Sequence, residues 1–255
     1  MTERTRAGSI ATAIRPRLRA PRRRVLAIAI GLLAVWPAAS SAAVNRTSDH
    51  TALTAYHAYL NDLISMVPSW RTADDAYISS ISGKCAGALS SLQHAAPGSF
   101  NKRALLAFGL EAGADLDAVS VYPSARPALG TLAASLGSLH WSNPGIQKVV
   151  SGYIGAERRL FALTPSDLCA DAHALAASHG RSVSRGTAAF VTKFGHRVVA
   201  AGQIATAFLT VLARFAGPSD RGLVSSTNHL LHQFGTKVTA LAGPEAKKLV
   251  AVLGL

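Results

Sequence analysis

Thr187–Ala216 reads TAAFVTKFGHRVVAAGQIATAFLTVLARFA, and this stretch decides the fold class. Phe190, Phe194, Val198, Ala201, Ala205, Phe208, Leu212 and Phe215 recur at spacings of four and three, which places them on one face of a helix. No charge falls between Arg197 and Arg214, so the helix is apolar round most of its circumference. It would be about 45 Å long and would belong inside a helical bundle. Gly217-Pro218 is expected to end it, with glycine as a left-handed cap.

Working outward, amphipathic helical spacing repeats through the chain. One helix is expected from Asp49 to a stop at Pro68, and a second over 69–93. A third is expected over 100–121, capped by Ser99, and a short one between a break at Pro123–Pro127 and Leu136. Asn143-Pro144 opens the next, and Thr164-Pro165-Ser166-Asp167 another, with Asp167 as a capping-box acid. After the long helix, one more runs to a break at Gly243-Pro244, and a short helix over 245–253 closes the chain. No period-two strand pattern occurs. The expectation is an all-α bundle of about seven to nine helices around the long apolar one. A faint duplication relates CAGAL at Cys85 to CADAHAL at Cys169.

Charge is concentrated at the N-terminus. Of a net +13, eight arginines lie before Val25 against the single acid Glu3. The apolar run Val25–Trp36 and the small-residue run to Ala43 follow. That order is a secretory signal peptide over 1–43, cut after Ala43, Ala42 or Ser41, with an exported domain over 44–255. The alternative is an uncleaved N-terminal membrane anchor. Without the first 43 residues, 18 basic and 12 acidic groups leave +6, a mildly basic surface suited to an anionic envelope polymer or a protein partner. No basic run interleaved with aromatics supports nucleic-acid binding. Asn45-Arg46-Thr47 is a glycosylation sequon.

Two cysteines in an exported chain point to one disulfide, Cys85–Cys169. Neither forms a C-x-x-C pair, so zinc and thioredoxin-like chemistry lack their spacing. His229 and His232 are three apart and are the only weak metal candidates, and no Glu-x-x-His or His-Glu-x-x-His occurs. Glu111 and Asp115, four apart, are expected on a solvated face or paired with Arg158 or Arg159, and Asp74-Asp75 likewise. Ser99-Phe-Asn-Lys102 fits S-x-x-K without its partner motifs, and no G-x-S-x-G elbow or phosphate loop exists.

On the long helix a polar strip of Thr192, His196, Gln203, Thr206, Thr210 and Arg214 has two readings. It is either a solvent-facing or hydrogen-bonded seam, or the lining of a ligand cavity between helices. The functional expectation is a non-enzymatic exported binding or structural module with no cofactor. Its alternative is a bundle holding a small ligand, metal or haem.

Overall fold

The first helix sets the frame. In the computed structural model, which describes residues 46–141, 144–215 and 217–255, helix α1 runs unbroken from Arg46 to Cys85. Pro68 lies inside it and does not end it. The reason is phase: Leu60, Leu63, Trp70, Asp74, Ile78, Ile81 and Cys85 are all buried and keep helical spacing across the proline, which itself points to solvent. Packing along that whole face holds the helix together where the Ile64 carbonyl loses its N–H partner.

Seven further helices follow. They are α2 (Ser90–Gln93), α3 (Lys102–Val119), α4 (Val121–Gly137), α5 (Pro144–Phe161), α6 (Leu168–Ala177), α7 (Arg185–Phe215) and α8 (Arg221–Leu253). No strand occurs among the described residues. Eight helices and an all-α bundle agree with the sequence expectation, and the apolar helix is present as α7.

Several expected boundaries differ. Pro127 and Pro244 lie inside α4 and α8, as Pro68 does in α1, so α8 is continuous to Leu253. Asn101, not Ser99, caps α3, its side chain accepting from the Arg103 N–H at 2.9 Å. Asp167 is itself the N-cap of α6 and accepts from the Ala170 N–H at 3.1 Å. Gly217 follows α7 with φ −76°, extended and not left-handed, and its N–H donates to Asp220. The duplication fails as well: Cys85 is the last residue of a 40-residue helix, whereas Cys169 sits in the first turn of α6. The Asn143 cap, the sequon asparagine and the segment 1–43 lie outside the described residues.

Helices α1 and α8 run parallel, start beside start and end beside end, in the largest helix–helix contact, with α7 packed on α5 and α4 bridging α1 and α5. Both ends of the α1–α8 pair are fastened. At one end His50 Nδ1 meets Asp220 Oδ1 at 2.7 Å. At the other, the N–H groups of Gly87 and Leu89 donate to the carbonyls of Val252 and Leu253 at 2.9 and 2.8 Å. Gly254 there adopts φ +87°, and a side chain on it would fall 2.9 Å from the Gly87 Cα, so glycine is needed at 254 for this approach, while Gly87 itself turns at φ +72°.

The buried residues form two cores. One, at the Gly87 end, joins Ile78, Ile81, Leu89, Phe108, Leu116, Leu175 and Leu249. It contains the Cys85–Cys169 disulfide, with Cα atoms 5.3 Å apart, as expected from the sequence. The larger core gathers the aromatic residues of α1, α4, α5, α7 and α8. In it α7 contributes Phe194, Val198, Phe208, Leu209 and Leu212, while Val199 and Gln203 on its other side are exposed. The helix is long and apolar enough to cross a membrane by length and composition, yet here it serves as one wall of the bundle.

Candidate functional site

The aromatic core contains a cavity of about 180 Å³. Its existence follows from a mismatch of side-chain size. On α7 the wall is Ala201, Gly202 and Ala205, small residues set between Val198 and Leu209, and α4 adds Ala125. Opposite them stand Tyr56, Tyr59, Leu63 and Trp70 of α1 and Tyr153, Glu157 and Phe161 of α5. Tyr122 of α4 and Phe234 of α8 complete the ring, and Asp117 of α3 closes one side.

The aromatic walls are held by one another. The Tyr153 and Phe208 rings stack at 4.4 Å, and Tyr56 meets Phe208 edge-on at 5.4 Å. Tyr122 stacks on Phe161 at 5.5 Å, and Trp70 meets Phe234 edge-on at 6.1 Å. Trp70 Nε1 also donates to Ser124 Oγ. These offset and edge contacts favour fixed ring positions over collapse into the void. Space of this size beside rigid rings suits a benzene-sized group, since engineered cavities of about 150 Å³ take up such molecules.

Polar groups in the wall are few and of one kind. Glu157 and Asp117 bring carboxyls, and Tyr56, Tyr59, Tyr122 and Tyr153 bring hydroxyls. Burial pushes the Glu157 carboxyl up to about 7. Burial also raises all four tyrosines above their ordinary range, with the Glu157 charge adding to it, so their hydroxyls stay neutral at physiological pH. Among the described residues lining the cavity none is Lys, Arg or His.

The polar strip on α7 lies elsewhere. Thr192, His196, Gln203 and Thr210 are exposed and Thr206 is half-buried, and none of the five lines this cavity. The hydroxyls of Thr192, Thr206 and Thr210 donate to the carbonyls of Ala188, Gly202 and Thr206, four residues back, at 2.8, 3.0 and 2.8 Å. The cavity meets the adjoining edge of the same helix. Its sequence signal is the alanine–glycine run 200–202 with Ala205, within a helix otherwise filled by phenylalanine, valine and leucine.

A second concentration of titratable groups corrects the reading of Glu111 and Asp115. Both are fully buried, and neither pairs with an arginine in a described ion pair. Asp115 accepts from the Ser166 N–H and hydroxyl at 2.9 and 2.8 Å and from the Tyr77 hydroxyl at 3.3 Å. Glu111 accepts from the Thr187 hydroxyl at 2.8 Å. Ser184 donates to Asp171 and accepts from the Thr187 N–H, capping α7. Burial raises Glu111 to about 8 and Asp115 to about 6. These hydrogen bonds tie α3 to α1 through Tyr77, to the segment before α6 and to the start of α7, so the group acts as a structural staple beside the disulfide. Asp74 is buried as well, contrary to the solvated face expected of it.

His229 and His232 are both exposed on α8. Among the described residues no group of three His, Cys, Asp or Glu side chains is placed to hold a metal. The chain matches no family model, no curated protein and no solved structure.

Proposed function

We propose that the protein is an exported, non-enzymatic binding module that holds a small, largely apolar molecule in the cavity between α1, α4, α5, α7 and α8. One observation carries this reading: a void of about 180 Å³ walled by fixed aromatic rings, with small residues on α7 opposite them. A bundle built only for structural support gains nothing from such a void. Unfilled volume sealed in a core costs about 24 cal/mol per Å³, and this space, which opens partly to solvent, carries a share of that cost. Apolar lining with a few convergent polar groups is also the usual make-up of ligand pockets. The exported location rests on the arginine–apolar–small-residue order of residues 1–43 and on the disulfide, which persists in oxidising compartments.

Filling the cavity tests the proposal. Ala201→Leu places a bulky side chain on the small-residue wall and is expected to leave thermal stability unchanged or higher. Wild-type protein should be stabilised by tert-butylbenzene in a thermal-shift measurement, and the variant should not. A wild-type protein indifferent to tert-butylbenzene, and carrying no extractable small molecule when purified from its native host, removes the reading.

A further inference from the structure

The chemistry of the cavity wall is at odds with the charge of the molecule around it. From Val44 onward the chain carries +6, yet the only ionisable side chains in the described lining are two carboxyls and four tyrosines. Whatever binds there meets acid and aromatic faces, never the basic surface.

We propose that the cavity selects a lipophilic monocation, an amine or quaternary ammonium group on a small apolar body, with Glu157 as its counter-ion; this rests on the cavity being the binding site. The geometry supplies both halves of such recognition. The faces and edges of Tyr56, Tyr122, Tyr153, Phe161 and Trp70 surround the space, and ring faces attract cations once water is excluded. Glu157 enters from α5 four residues after Tyr153 and four before Phe161, so its carboxyl shares the ring-lined wall. An anionic ligand would find no Lys, Arg or His there and would face Glu157 and Asp117.

Proton linkage follows. Burial lifts Glu157 to about 7 because it disfavours the charged carboxylate. A bound cation favours that charge, so binding near neutral pH releases a proton, and affinity falls as pH drops through this range. The other titratable groups facing Glu157 are Tyr56 and Tyr59 from α1, Tyr122 from α4, Tyr153 on its own helix, and Asp117 from α3. The tyrosines stay neutral throughout. The lining from α7 and α8 is uncharged.

Three isosteres separate the possibilities: phenyltrimethylammonium, tert-butylbenzene and benzenesulfonate, titrated calorimetrically into the purified chain. None of the three ionises between pH 5.5 and 8, so any pH dependence belongs to the protein. Phenyltrimethylammonium should bind about tenfold more weakly at pH 5.5 than at pH 8. Glu157→Gln should give a similar loss at pH 8 and abolish the pH dependence, whereas Asp117→Asn should leave the pH dependence in place. The affinity for tert-butylbenzene should stay within about twofold across pH and in Glu157→Gln, and benzenesulfonate should not bind. Uptake of tert-butylbenzene with no cation binding, or with cation binding indifferent to pH and to Glu157→Gln, overturns the cation proposal and leaves the cavity reading standing. Failure of every probe overturns both.

Discussion

Buried acids are the residues that most distinguish this bundle. Asp74, Glu111, Asp115 and Glu245, with the half-buried Glu157, each occupy a place in a helix where spacing from apolar neighbours calls for a core residue. Glu157, for example, continues the series Ile146, Val150, Tyr153, and Glu245 continues Val238 and Leu241. That phase was legible in the sequence. The pair Glu111/Asp115 is nevertheless expected on a solvated face or paired with Arg158 or Arg159 when charge type is given more weight than phase, and the partners Ser166 and Thr187 lie 51 and 76 residues away. The consequence is a pH dependence of stability. An ordinary glutamate ionises near 4.5, so unfolding at neutral pH releases the proton that folded Glu111 retains to about 8. The folded state binds more protons between those values. Stability is therefore full below about 4.5 and is lost as pH rises through 8. Thermal unfolding should show a lower midpoint at pH 8.5 than at pH 5.5. Glu111→Gln should stabilise the protein by about 1–2 kcal/mol at the higher pH and have little effect at the lower. A larger stabilisation at the lower pH would reverse the assigned sign.

At the scale of elements, helix type was plain in the sequence and helix boundaries were not. Proline at 68, 127 and 244 reads as punctuation because it lacks an N–H and crowds the carbonyl four residues before it. Here each is exposed and is overridden by an apolar face that runs past it in unchanged phase. In α1 that face, Leu63, Val67, Trp70, was itself visible. The depth of its cover by α8 was not, because that cover comes from the far end of the chain. Since α1 continues through Pro68, restoring the missing donor should help: Pro68→Ala is expected to stabilise by about 1–3 kcal/mol in denaturant unfolding. A destabilised Pro68→Ala protein would mean that the restriction proline places on the unfolded chain outweighs the missing hydrogen bond. The cavity on α7 was legible only in part. Its small residues sit in the quoted stretch, but the rings opposite them are supplied by α1, α4, α5 and α8.

For the whole molecule, the disulfide is the feature that sequence reasoning placed correctly, because compartment and an even cysteine count left one pairing. It closes 84 residues, for which chain entropy gives about 4–5 kcal/mol. Reduction should lower the melting temperature by roughly 10–20 °C while the far-ultraviolet spectrum of the cooled protein stays helical. A midpoint unmoved by reductant would count against a bridge that constrains the unfolded chain. The fastening of α1 to α8 at both ends has a temporal meaning too. The first helix of the described fold finds its largest partner only when Arg221–Leu253 has been made. Until then α1 is covered chiefly by α4, and contacts such as His50–Asp220 span 170 residues. Completion of the bundle is thereby deferred to the end of synthesis and depends on distant pairings, which fold more slowly than local ones. A chain so arranged remains threadable for as long as it is incomplete.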